Sequence, residues 1–241
     1  MNRVEWTVIG LLLCWVLADA GQAAAQRNEM PAGYPQTLER ELQVLLERVR
    51  EGKPSPSLLV KLSETYFDTA DDLLTDEARR LAAYDAGAEA AKQAFEMDER
   101  LADAHFFHAL NMGSAARLRG VTNAAFAVKE IKYCAQRAIE LDPRHSQALQ
   151  MMGGLLMEIP WVLGGSDKKA QDYLERSVAA DGNFANARIM LAKLYLKQGR
   201  REEAKKQLEA VMRFDRPHYR YTWERKYKPE AERMLKELGN S

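Results

Sequence analysis

One short sequence ending recurs along this 241-residue chain and constrains its fold more than any other feature. The ending occurs at Ala138–Pro143 (AIELDP), Ser177–Gly182 (SVAADG) and Val211–Arg216 (VMRFDR), and the last two copies lie 34 residues apart. A period of that length is typical of arrays in which each unit is a pair of helices joined by a turn. The chain is therefore predicted to be an all-α solenoid of stacked helix pairs.

Four helix pairs can be aligned on one small residue in the first helix of each. These small residues, in chain order, are Ser63, Ala109, Gly153 and Ala192. The facing positions on the second helices are Gly87, Ile131, Ala170 and Ala204. In the tetratricopeptide repeat (TPR) pattern a small side chain stands at this place, and we expect the two helices of each pair to approach closely there. The sequence thus predicts four TPR pairs, at about residues 56–99, 100–143, 144–182 and 183–216.

Helical segments are predicted at both ends of the array. Thr37–Arg50 repeats leucine at helical spacing before the first pair, and residues 217–241 add an aromatic, basic stretch and a helix at Pro229–Leu238. Because terminal repeats need a polar outer face, both segments are interpreted as capping helices. The TPR domain is therefore predicted to span residues 37–241, preceded by a linker at residues 26–36.

The N-terminus has the composition of a targeting segment. Residues 1–25 combine the basic Arg3, a 13-residue apolar run and the small residues Ala23–Ala25. This arrangement is typical of a cleaved secretory signal peptide. An uncleaved anchor is one alternative, and lipidation of Cys14 is another, although the leucines before Cys14 disfavour it. We therefore expect an exported protein, most simply a periplasmic one.

Charge and cysteine content narrow the function classes. The chain carries 35 basic and 35 acidic residues, and removal of the predicted leader leaves 34 and 33. A balance so close to zero gives no electrostatic basis for binding nucleic acid or a membrane surface. Only Cys134 remains after cleavage, so no intramolecular disulfide can form and the core must stabilise the fold.

The sequence contains no recognisable enzyme motif. His105 and His108 are three residues apart on one helix, but no third metal ligand follows at a suitable spacing. Cys134 lies in an apolar helix, as an inert thiol does. Gly164–Gly165 follows a helix and a proline, not the strand that precedes a phosphate-binding loop. A non-enzymatic binding protein with no cofactor and no metal is predicted.

Two insertions distinguish the second and third pairs. The pair endings lie 44, 39 and 34 residues apart, and the extra residues fall around Ala115–Phe126 and in the loop Ile159–Ser166. Insertions in a repeat array usually leave one face, often the binding face. Trp161, Asn111 and Arg117 are therefore predicted to offer a stacking surface, an amide and a cation to an organic anion. The alternative is that Trp161 packs on the second pair and Asn111 caps a loop.

The first helices of the pairs are predicted to line a concave groove. Phe106, Leu110 and Met157 would make the middle of this groove apolar, which suits a hydrophobic ligand or an apolar anchor of a partner. The alternative for each of the three residues is packing between helices.

Three segments carry a more specific resemblance. Ala109–Gly113 (ALNMG), Ala116–Gly120 (ARLRG) and Glu158–Ser166 (EIPWVLGGS) resemble the TRAP-transporter T-component family, and the loop pattern is also similar to that of the regulator of microtubule dynamics family. The likeness covers roughly residues 55–238. It implies an envelope TPR protein that binds a small organic ligand or the solute-binding partner of a transporter. A scaffold that holds a peptide or helix of a partner protein in its groove is the alternative, and a homo-oligomer is compatible with both.

Overall fold

The structure is a computed structural model that describes residues 32–52 and 54–239, and those ranges contain helices and turns but no strand. The helices are α1 Thr37–Glu51, α2 Pro56–Asp68, α3 Glu77–Met97, α4 Ala102–Leu118, α5 Val121–Leu141, α6 Ser146–Glu158, α7 Asp167–Ala180, α8 Ala185–Lys197, α9 Arg201–Met212 and α10 Lys228–Gly239. A π-helical turn, Thr69–Leu73, extends α2. Two short turns, Arg220–Thr222 and Trp223–Tyr227, lead into α10. The predicted all-α solenoid, with four helix pairs and a helix at each end, is confirmed.

The predicted signal peptide at residues 1–25 lies outside the described residues, as do residues 26–31 of the predicted linker. Within the described ranges, no helix combines the length and the apolar character that a membrane span requires. Export of the protein therefore stays a prediction.

The small residues of the repeats lie where the two helices of a pair come closest, as predicted. Ser63 is buried, and its Oγ donates a hydrogen bond to the backbone oxygen of Gly87 at 2.7 Å. A Cβ atom added to Gly153 would lie 2.6 Å from the side chain of Leu174 and 3.2 Å from the backbone oxygen of Ala170. Since real Cβ atoms essentially never come within 3.0 Å of a neighbour, glycine is the residue that lets α6 and α7 approach this closely.

Both terminal helices cover the ends of the core. Leu45 of α1 is buried in one cluster with Leu62 of α2. At the other end Trp223, Ala231 and Met234 join the cluster built by α7, α8 and α9. The indole nitrogen of Trp223 donates to the backbone oxygen of Val211 at 3.1 Å, so the buried ring keeps its polar atom paired. The predicted capping role of the C-terminal segment is explained by these contacts.

The two ends of the array also touch each other. The rings of Tyr34, before α1, and Tyr221, before α10, meet edge to face with centroids 4.9 Å apart. Tyr34 donates its hydroxyl to Asp72 in the π-helical turn after α2. Gln147 at the start of α6 donates to the hydroxyl of Tyr219 at 2.6 Å. The C-terminal segment therefore touches both the segment before α1 and the start of α6.

Candidate functional site

The loop between α6 and α7 holds two apolar side chains out in solvent. Trp161 is 84% exposed and Val162 is 65% exposed. The backbone beneath them is tightly bonded, because Gly165 N donates to Pro160 O at 3.1 Å and Ser166 N donates to Leu156 O at 3.0 Å. Trp161 is thus displayed by a fixed turn, which lowers the entropy cost of using it in an interface.

Gly164, Gly165 and Ser166, which follow the tryptophan, give the loop its shape. Gly164 takes a left-handed conformation, with φ at +96°, and donates its N–H to the oxygen of Trp161 at 3.0 Å. Gly165 passes so near the backbone that an added Cβ would lie 1.7 Å from the oxygen of Ile159. Ser166 accepts a hydrogen bond from Lys169 N at 3.3 Å and so caps α7, as predicted.

Helix α5 exposes two aromatic side chains on its outer face. Phe126 is 83% exposed and Tyr133 is 64% exposed. Residues seven apart lie on the same side of a helix, about 10.5 Å apart along its axis. The opposite side of α5 faces the core through Ile131, Cys134 and Ala138. Burial therefore explains one face of α5 and leaves the aromatic face without a packing role in the described chain.

A hydrogen bond between side chains links α7 to α5. Both are second helices of their pairs and run parallel in the stack, and Tyr173 of α7 donates its hydroxyl to Gln136 of α5 at 3.2 Å. Counted back along the two helices from this bond, the start of α7 corresponds to about residue 130 of α5, so the loop before α7 and Phe126 belong to the same end of the stack. We call Phe126, Tyr133, Trp161 and Val162 the exposed edge.

Basic side chains surround the exposed edge. Lys129 and Lys132 on α5 and Lys168 and Lys169 on α7 are all exposed, and none of them forms an ion pair with another described residue. Lys129 and Lys132 also line an open depression of about 310 Å³ on α5, together with Tyr133, Gln136, Arg137 and Glu140. The edge therefore combines apolar anchors with four lysines that have no ion-pair partner in the described part of the chain, and the carboxylate that lines the depression, Glu140, pairs with Arg137.

Asn111, predicted to offer its amide to a ligand, lies in the core. It is 0% exposed, and its amide donates to Ser63 Oγ at 3.1 Å and to the oxygen of Phe107 at 3.0 Å. Gly87 makes room for it, because a Cβ there would lie 2.6 Å from the amide oxygen. Asn111 ties α4 to the first pair, so the structure does not bring it to one surface with Trp161.

The other predicted site residues have mixed positions. Arg117 is exposed in the last turn of α4. Phe106 is only 3% exposed, and it packs between Phe107 and the ring of His145, which removes it from the groove surface. Leu110 and Met157 are half-buried and pack against the core clusters. Of the three residues predicted to line the groove, Phe106 is thus buried, and Leu110 and Met157 keep part of their surface exposed.

His105 and His108 have local hydrogen-bond partners, and Cys134 is a buried free thiol. His105 Nε2 lies 3.0 Å from the oxygen of Glu99, and His108 lies between the oxygen of Ala88, at 2.9 Å, and Glu130, at 3.0 Å. No group of three metal-ligating side chains is found among the described residues. Burial raises the pKa of Cys134 to about 11, so its thiol is protonated at neutral pH.

Sequence reasoning missed most of the exposed edge. It named Trp161 but not Val162, Tyr133 or the four lysines, and Phe126 entered only as the boundary of an insertion. The helical spacing of α5 could have revealed the aromatic residues, because Phe126 and Tyr133 fall on the same face as the lysines and opposite the alanines.

Comparison with known proteins gives two matches along the chain. The family described as regulator of microtubule dynamics protein 1-3 matches residues 25–160. A tetratricopeptide repeat family matches residues 168–221.

Similar curated proteins carry the name of the first of these families. Regulator of microtubule dynamics protein 1 from Bos taurus is 28% identical over 170 residues, which cover 64% of this chain and 53% of that protein. The Pongo abelii protein of the same name is 27% identical over 170 residues, covering 64% and 54%. The chain thus spans about half the length of these curated relatives. A thermophilic TPR protein from Thermus thermophilus has a similar fold, with a TM-score of 0.59, 17% identity and coverage of 81% of this chain and 90% of that one. The T-component resemblance stays a prediction.

Proposed function

This chain belongs to the regulator of microtubule dynamics protein 1-3 family, and we propose that it is a scaffold that binds a partner protein through its exposed edge. TPR arrays present extended surfaces on which other proteins dock. The curated relatives are named for regulating microtubule dynamics, and only the general role of a protein-binding module is carried over here.

The observation that carries the proposal is the position of Trp161. A large aromatic ring stands in solvent on a turn whose backbone bonds and close glycine packing hold it there. Contiguous exposed apolar groups on a folded protein mark interaction sites. Tryptophan is also enriched among the few residues that contribute most of the binding energy in interfaces.

Binding at the edge differs from the groove binding predicted from the sequence. Phe106, which was predicted to anchor a ligand in the groove, is buried, and the C-terminal segment lies against Gln147 at the start of α6, one of the first helices predicted to line the groove. The edge, by contrast, is on the outer side of α5 and needs no rearrangement to receive a partner.

Site-specific photo-cross-linking tests this function. A photoreactive residue at Val162 leaves Trp161 in place and should yield one discrete protein adduct in the cells that produce the chain. The same residue at Lys206, on the outer face of α9, is the control and should yield none. The captured protein is then purified and titrated against wild-type and Trp161→Ala chains.

The variant should weaken binding by about 2 kcal/mol, as loss of a central aromatic anchor does. Its free energy of unfolding should change by no more than about 0.5 kcal/mol, because the side chain is exposed. Equal adducts at both positions, or equal affinity of the two chains for the captured protein, would show that the edge is not the binding site.

A further inference from the structure

The charge around the exposed edge indicates which kind of segment docks there. We infer that the edge receives an acidic amphipathic helix of a partner protein, laid along α5 and the start of α7. This inference rests on the proposed function and adds the chemistry of the partner to it.

The lysines determine which charge the partner segment carries. Lys129, Lys132, Lys168 and Lys169 have no carboxylate partner among the described residues, whereas the nearby Asp167 is neutralised by Lys197 at 2.7 Å. Opposite charges across an interface steer association and exclude partners of the same sign. An acidic segment is therefore favoured and a basic one is repelled.

The spacing of the apolar groups favours a helix. Phe126 and Tyr133 lie about 10.5 Å apart along α5, which is the distance from i to i+7 on a partner helix lying beside it. Helix-in-groove recognition uses anchors at i, i+3 or i+4, and i+7. An extended strand would need unpaired backbone groups to bond with, and the described helices of this surface use theirs internally.

Two other occupants fit the surface less well. A second copy of the chain placed edge to edge would bring lysines against lysines, which costs binding energy. A flat bilayer would meet the projecting Trp161, whereas Tyr133 lines an open depression on α5 that a rounded helix fills better than a flat surface does.

Fluorescence anisotropy with designed peptides tests the inference on the full chain. Three labelled peptides are compared: an 18-residue amphipathic helix with glutamates on its polar face, the same helix with lysines in their place, and the glutamate peptide with its apolar residues scrambled over all faces. Of the three, only the acidic amphipathic peptide should bind, and added salt should weaken its binding.

Charge reversals supply the matched control. The double variant Lys129→Glu, Lys132→Glu should bind the acidic peptide about tenfold or more weakly, because attraction is lost and repulsion is added. The pair Lys205→Glu and Lys206→Glu changes net charge equally on α9, away from the edge, and should change affinity by less than about twofold at physiological salt, because screening limits distant charges.

Several results would overturn the inference. They are tighter binding of the lysine peptide, equal binding of the scrambled peptide, equal effects of the two charge-reversed pairs, or binding of anionic phosphatidylserine vesicles in place of any peptide. If no peptide binds but a purified partner captured at Val162 still depends on Trp161, the proposed function stands and the acidic helix is rejected. If that dependence is also missing, both are rejected.

Discussion

Replacing Gly165 by alanine should open the loop that displays Trp161. The new Cβ would lie 1.7 Å from the oxygen and 2.7 Å from the carbon of Ile159. Both are backbone atoms, so no side chain can rotate away, and the loop must shift by at least 1.3 Å to restore a 3.0 Å separation. A shift of that size breaks the bonds from Gly165 N to Pro160 O and from Ser166 N to Leu156 O.

The expected cost follows from those contacts. Each backbone hydrogen bond contributes about 1 kcal/mol, and disturbing the Ser166 cap of α7 costs about 1 kcal/mol more. The variant should therefore lose about 2–3 kcal/mol, equivalent to a fall of about 5–10 °C in Tm for a domain of this size. Because Trp161 would no longer be held in place, binding of a purified partner should weaken as well.

Thermal unfolding and hydrogen exchange measure the two parts of this prediction. The amides of Gly165 and Ser166 should exchange faster in Gly165→Ala, while amides in the core of α8 keep their protection. Gly182→Ala is the control, because its Cβ would meet only an arginine side-chain nitrogen at 3.7 Å. A Gly165→Ala chain that melts within about 1 °C of wild type, with protected loop amides, would refute the geometry of the loop.

Two further predictions concern the scaffold. Gly153→Leu should force α6 away from Leu174 and lower the free energy of unfolding, measured by chemical denaturation, by about 1–3 kcal/mol. The exposed control Lys206→Leu should lower it by no more than about 0.5 kcal/mol. Equal stabilities of the two variants would contradict the assigned helix contact. The pKa of Asp68 is raised well above its ordinary value of 3.8 by burial first and then by the charges of Glu64 and Asp72. The folded chain therefore binds the proton of the Asp68 carboxyl more tightly than the unfolded chain does. The stability that this proton contributes is complete below the ordinary pKa of 3.8 and is lost as pH rises from there through the raised pKa. Asp68→Asn should raise Tm at pH 8 and flatten the decline above pH 4, and an unchanged pH profile would contradict the shift.

The repeat scaffold could be predicted from the sequence because its determinants are local. A small residue at a fixed place in the helix pair sets the approach of two neighbouring helices, so Ser63 and Gly153 could be assigned without knowledge of distant parts. Ser166 could likewise be assigned as a cap from its position before α7. Each of these features depends on residues close in sequence or one helix away.

Asn111 shows where local reasoning fails. An amide on a first helix suggested a ligand contact, but the side chain turns toward the preceding pair and occupies the space left by Gly87. The sequence signal for this arrangement was a polar residue, Asn111, on one helix together with a glycine, Gly87, on another, because a glycine leaves room for a neighbouring side chain. Contact between Tyr34 and Tyr221 was beyond prediction for a different reason, since the curvature that joins the ends accumulates from small rotations at every repeat.

The exposure of Phe126 follows from unequal helix lengths. The sequence indicated about ten extra residues in the second pair, and the structure places them mainly in longer helices: α4 and α5 have 17 and 21 residues, against 13 and 12 in α8 and α9. At 1.5 Å per residue, α5 is about 32 Å long and the adjacent α6, with 13 residues, about 20 Å. Because α6 ends about 12 Å short, the first turns of α5 extend past it, and the loop bearing Trp161 fills only part of the gap. An apolar residue such as Phe126 on this projecting part has no helix of its own array to cover it, so a partner helix is the structure that would complete the packing.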